Sequence, residues 1–148
     1  MHKAQEQVEE FHRAMNQTIG TDPDIRDAKL RASLILEEAL ETVTAIVGSE
    51  TALHMLKQVC DERDLDERHF EPDLVQAIDG LADILYVVYG SAVSFGIDLE
   101  PFFEEVHFSN LAKANGPVRA DGKRLKPEGW RPPRIAEILT GVKNSLTG

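Results

Sequence analysis

ILYVVYGSAVSF, residues 84–95, admits two readings, and the choice between them sets the fold. Taken alone, ILYVVY is rich in β-branched and aromatic residues and suits a buried strand. An unbroken helical pattern precedes it, however, and no obvious partner strand exists elsewhere in the chain. The longer pattern wins, so the segment reads as the second half of a helix over about 72–95. Pro72 sits in its first turn and Gly96 stops it. A helix apolar nearly all round must be covered on all sides. In a chain of 148 residues a second subunit would help to cover it, so a homodimer or larger homo-oligomer is expected.

Helical patterns continue on either side. Val8, Phe11 and Met15 mark a helix over about 3–17, and IGTDPD then breaks the pattern at Gly20 and Pro23. A second helix over about 26–47 carries Leu30, Leu34, Ala39, Leu40, Val43 and Ile46 on an apolar side. Gly48 ends it, and Ser49 can cap a shorter helix over about 50–63. DERDLDERHFE, residues 61–71, is too charged for a core element and reads as a linker. Pro101 opens a helix to about Ala112. The stretch 114–131 is a long loop rich in glycine, proline and basic residues, and loops of that length in small domains tend to be functional or disordered. PPRIAEILTG then offers a last short helix before a frayed tail. No repeat interrupts this order. The expectation is an all-α fold, a helical bundle of four to five main helices in a single domain over 1–148.

Composition narrows the function. A formal net charge of −10 repels nucleic acid backbones, so no nucleic acid partner is expected. No stretch comes near the roughly 20 apolar residues of a membrane span, and the N-terminus lacks the apolar core of a secretory signal. Cys60 is the only cysteine, which excludes an internal disulfide and suits a reducing cytoplasm. The charge is unevenly spread. Lys113, Arg119, Lys123, Arg124, Lys126, Arg131 and Arg134 are opposed only by Asp121 and Glu128, a segment of net +5 on a remainder of net −15. Such a segment suits a small anionic ligand, self-association or plain solvation.

The acids pose the sharpest question. LEEALE, residues 36–41, sets Glu37, Glu38 and Glu41 at roughly 0°, 100° and 40° around a helix. Asp79 and Asp83, four apart, share one face of the next long helix and interrupt the most hydrophobic stretch, IDGLADILYVVYG. Were the two helices to pack together, five carboxylates would converge, and some would have to take up protons unless a cation joined them. Oxygen-only donors suit Mg²⁺, with Mn²⁺ able to substitute, rather than Zn²⁺. The plainer alternative is a solvated helix face. Other chemistry has less support: there is no Walker-type glycine loop, no HExxH and no CxxC, the five histidines show no ligand spacing, and Cys60 reads as a packed thiol.

EEALE, Glu37 to Glu41, resembles the E-E-x-x-E signature of the all-α nucleoside triphosphate pyrophosphohydrolases. This MazG-like superfamily includes dimeric dUTPases and phosphoribosyl-ATP pyrophosphohydrolases. Its second motif is E-x-x-D. DGLAD departs from that pattern, with Gly80 in the glutamate's place and Asp79 one residue earlier as a substitute. VEEFHRAM resembles the family's first helix and DILYVVYGSAVSFGIDL the continuation of the second motif helix. SNLAKANGPVRADGKRLKPEGWRPP is similar to the SN-x-x-K and DGK…KP-x-GW-x-PP tail of one subgroup. The resemblance spans about residues 5–135.

It implies that a nucleoside triphosphate and water yield the monophosphate and pyrophosphate. A water activated at the metal or by a carboxylate would attack the α-phosphorus. By the same analogy Glu38, Glu41 and Asp83 are metal ligands, and Glu37 and Asp79 are further ligands or the general base. Glu37 and Glu38 are thus the catalytic candidates. Lys113 and Lys126, with Arg119, Lys123 or Arg124, would hold the β- and γ-phosphates. Asn110 offers a donor and an acceptor, and Trp130 either stacks on a base or anchors the loop. The dUTPase-like branch is the nearest, with dCTP, other dNTPs and phosphoribosyl-ATP as alternative substrates. A non-catalytic helical dimerisation or nucleotide-sensing module is the competing class.

Overall fold

A computed structural model describes residues 2–63, 71–118 and 124–147. They form six α-helices: α1 (Lys3–Ala14), α2 (Ala28–Val47), α3 (Ser49–Arg63), α4 (Leu74–Phe95), α5 (Glu100–Ala112) and α6 (Ile135–Thr147), with a 3-10 turn at Lys113–Asn115. Among the described residues the only strand-like pairing is an isolated antiparallel bridge between Val118 and Arg124. The all-α expectation holds, and ILYVVY is helical. The last helix runs on to Thr147, past the short segment expected. Most of the linker over 61–71 lies outside the described residues.

The chain divides into two compact units, Asp22–Ile78 and Met1–Thr21 with Asp79–Gly148. In the first, α2 packs on α3. Gly48 makes the corner with a φ of +82°, a left-handed value that a side chain resists, and its N–H bonds the Thr44 carbonyl. Ala52 on α3 is buried there. Arg26 and Asp22 clasp before the helix, Nη2 to Oδ1 at 2.9 Å, and α2 begins at Ala28 rather than Arg26.

In the second unit α5 is central, with α1 and α6 packed against it. Phe102 and His107 of α5 are buried, and Lys3 of α1 clasps Glu100 at 2.9 Å as well as Glu104. These two carboxylates hold the Lys3 ammonium above its ordinary pKa range, through the Glu104 hydrogen bond first and then that of Glu100. His107 Nε2 lies 3.4 Å from Glu10 Oε2. α1 ends at Ala14, short of Gln17, because Asn16 turns into the left-handed region (φ 53°), which asparagine tolerates.

α4 begins in one unit and continues into the other. Its cap is Asp73, whose Oδ1 accepts from Val75 N at 2.8 Å and Gln76 N at 3.2 Å. Pro72 lies outside the first turn expected for it. Near the C-terminal end of α4, Ala92 is buried. Tyr86 is 82% exposed, Val93 79% and Val87 62%, with Leu81 and Leu85 also in solvent. The apolar side of α2 is equally bare: Leu30, Leu34, Leu40 and Ile46 are exposed. Cys60, read as a packed thiol, is exposed too, since among the described helices α3 packs only on α2. By length and a mean hydropathy of 1.3, α4 also meets the measure of a membrane-crossing helix, which corrects the expectation that no stretch comes near it. Asp79 and Asp83 in its first half would lose their hydration in such a setting.

Candidate active site

Glu37, Glu38 and Glu41 stand on α2, in the Asp22–Ile78 unit, and all three are exposed. Asp79 and Asp83 stand on α4, in the other unit, and are also exposed. Among the described residues, no three Asp, Glu, His or Cys side chains are gathered as a metal ion would need. Glu9, Asp22, Glu100, Glu104 and Glu105 each have an arginine or lysine partner; like Glu50 and Glu128, the five acids have no ion-pair partner among the described residues. They are carboxylates with free oxygens on rigid helices, and that donor set fits Mg²⁺ or Mn²⁺.

The basic candidates lie on a strap that leaves α5 at Lys113 and returns at Arg134. Its first corner is Gly116, whose N–H bonds the Lys113 carbonyl at 3.0 Å. The Leu125 backbone passes so close that a Cβ at Gly116 would run into the Leu125 carbonyl oxygen. Leu125 N donates to Pro117 O at 2.8 Å, and the Val118–Arg124 bridge closes the pair. Arg124 Nη1 donates to the carbonyls of Ala114 (2.8 Å) and Gly116 (3.2 Å), so part of this guanidinium holds the strap together. Arg119 and Lys123 lie outside the described residues.

The second half of the strap is a turn laid against α5. Trp130 N bonds Pro127 O at 3.1 Å, and Gly129 supplies the positive φ (+75°) at the third turn position. This turn brings Lys126 back over the Trp130 ring, with its Nζ 4.0 Å from the centroid. Lys113 Nζ lies 5.6 Å from the same centroid and donates to Asn110 Oδ1 at 2.7 Å. Lys113, Lys126, Asn110 and Trp130 are therefore brought together. Trp130 is half-buried, and its indole N–H donates to the Ser109 carbonyl at 2.9 Å. This bond ties the loop to α5.

Two residues that sequence reasoning passes over complete the attachment. Buried Ser109 donates its hydroxyl to Arg131 O at 3.1 Å, and Glu105 accepts from Arg134 N and Nε, each at 3.1 Å. Glu105 and Ser109 are four apart on α5 and so share one face. The Arg134 side-chain hydrogen bond, then the backbone one, holds the Glu105 carboxyl below the usual carboxylate range, and Glu105 in turn raises Arg134.

The all-helical topology is the one expected of the all-α, MazG-like nucleotide pyrophosphohydrolases. The family model of phosphoribosyl-ATP pyrophosphohydrolase matches residues 8–110, which takes in both acidic helices and stops before the strap. The chain belongs to this phosphoribosyl-ATP pyrophosphohydrolase family. It is also similar to a crystal structure from Exiguobacterium sp. 255-15, provisionally described as an NTP pyrophosphohydrolase. That likeness has a TM-score of 0.79 and 29% identity, and covers 97% of this chain and 98% of that one. No match is found among curated proteins. Pyrophosphohydrolysis of a nucleotide is the activity these relatives support.

Proposed function

We propose that the chain hydrolyses a nucleoside triphosphate, dUTP foremost, to the monophosphate and pyrophosphate, with Mg²⁺ as cofactor. The observation that carries this reading is the family match, whose span takes in both helices that bear the five acids. Glu38, Glu41 and Asp83 are the proposed ligands. The bound ion supplies charge neutralisation on the phosphate oxygens and on the departing pyrophosphate. Glu37 or Asp79 accepts the proton of the attacking water, a task that needs a carboxylate within hydrogen-bond reach of it. Lys113 and Lys126 bind the β- and γ-phosphates, and Asn110, bonded to Lys113, steadies that end of the site. Phosphoribosyl-ATP is the second candidate substrate, favoured by the family model.

The protein is proposed to act as a homodimer or larger assembly. Fully burying one Val, Leu or Phe contributes about 1.5–3 kcal/mol. α4 alone leaves Leu81, Leu85, Val87 and Val93 in solvent, ample area for a partner copy.

A panel of dUTP, dCTP, other dNTPs and phosphoribosyl-ATP, with and without Mg²⁺ and with products separated, tests the reading. Monophosphate plus pyrophosphate, formed only with the metal and fastest from dUTP, is the expected result. Orthophosphate as the product, or binding of nucleotide without turnover, would overturn it.

A further inference from the structure

Four of the cations described here rest on carboxylates. Lys3 sits on Glu100 and Glu104, Arg13 on Glu9, Arg26 on Asp22, and Arg134 on Glu105. Lys113 and Lys126 are built differently. Among the described residues neither has a carboxylate partner, and both ammonium groups lie against one indole, at 5.6 and 4.0 Å from its centroid. A carboxylate would hold a lysine in place by cancelling its charge. An aromatic face attracts the ammonium through its quadrupole and leaves the positive charge whole. The ring itself is fixed: its N–H is spent on the Ser109 carbonyl, Ser109 is buried, and the Pro127–Trp130 turn sets the backbone beneath it.

We propose that Trp130 is a positioning residue, a fixed aromatic post that holds Lys113 and Lys126 side by side with their charges uncancelled, ready for a polyphosphate. The inference rests on the pyrophosphohydrolase reading for its biological substrate, though not for its physics. Lysine is a point charge on a long flexible stem, and ordering two such stems before the anion arrives lowers the entropic cost of binding. The post therefore acts on affinity, not on the chemical step. It also separates Trp130 from base recognition, because the face nearest Lys126 is already occupied.

Trp130→Leu and Trp130→Phe, alone and in a Lys113→Ala/Lys126→Ala background, test this. The probe is inorganic tripolyphosphate, titrated by calorimetry with Mg²⁺ present, beside KM and kcat for dUTP. Each lysine contact is worth about 2- to 5-fold in affinity. Trp130→Leu is expected to weaken tripolyphosphate binding and raise KM by about 5-fold or more, with kcat changed by less than about 2-fold. Trp130→Phe, which keeps a weaker ring face, recovers part of the loss, and neither substitution has any further effect once both lysines are gone. Should Trp130→Leu fail to fold, the Phe variant carries the same test through its smaller KM rise and its dependence on the lysines.

A lowered melting temperature with unchanged KM and tripolyphosphate affinity would overturn the proposal. So would an equal loss in the lysine-free background, or a wild type that does not bind tripolyphosphate. A wild type that binds tripolyphosphate through Trp130 yet hydrolyses no nucleotide would sink the activity reading and leave the post standing.

Discussion

The strap from Lys113 to Arg134 and the acidic face of α2 are both charged surfaces, yet they are built on opposite principles. Along the described part of the strap, polar groups meet partners within the chain: Arg124 on two carbonyls, Trp130 on Ser109, Arg134 on Glu105. On α2, Glu37, Glu38 and Glu41 have no ion-pair partner among the described residues, and the apolar residues around them stand in solvent. One region is finished by its own sequence. The other is left bare in the single chain, and the proposal is that a cation completes its acids and a partner copy its leucines.

The largest effect should come from the unfinished region. Glu38→Gln, Glu41→Gln and Asp83→Asn are each expected to lower the hydrolysis rate by more than about 100-fold through lost metal affinity. The same changes leave the metal-free fold intact or raise its melting temperature, since they relieve repulsion. Full activity in all three would refute the assigned roles. Next comes the strap's first corner. Gly116→Ala forces a methyl into the Leu125 carbonyl and should cost about 1–3 kcal/mol, read as a lower urea midpoint with the slope unchanged. If the variant is as stable as the parent, the close approach of Gly116 to Leu125 is not the rigid contact described. Lys126→Ala should act mainly on KM, about 10-fold, with kcat nearly kept; an unchanged KM would rule out phosphate contact there.

The smallest effect is on pH. Arg134 depresses Glu105, so the pair's contribution is complete above the ordinary glutamate pKa of about 4.3 and is lost as the pH falls through the lower folded value. Trp130 is the sole tryptophan, and its fluorescence reports on the strap directly. A transition below the ordinary glutamate range should appear in the parent and vanish in Glu105→Gln. A transition that survives the substitution belongs to another group.

How far the sequence reaches follows the same division. That 84–95 is helical was legible because the preceding pattern is long and no partner strand exists. Helix ends at Gly48 and Gly96 were legible because positive φ favours glycine at a stop, and both glycines show it. The start of α4 was not: Asp73 caps the helix through its side-chain oxygen, which leaves Pro72 ahead of the first turn expected for it. The family was legible in EEALE and the segments around it, and the family match over 8–110 agrees with that resemblance. Ser109 and Glu105 left no mark, since their bonds reach 22 and 29 residues along the chain, where no periodicity connects donor to acceptor. Exposure of Cys60 and of Leu34 was equally hidden: apolar pattern reports what needs cover, not what covers it.

The central claim is that carboxylates of α2 and α4 take up a divalent cation to grip a polyphosphate. Calorimetric titration of Mn²⁺ into the protein, with and without a non-hydrolysable dUTP analogue, tests it most directly. The account predicts saturable uptake that the analogue tightens and that Glu41→Gln or Asp83→Asn abolishes. No uptake in either condition, or uptake indifferent to both substitutions, would contradict it.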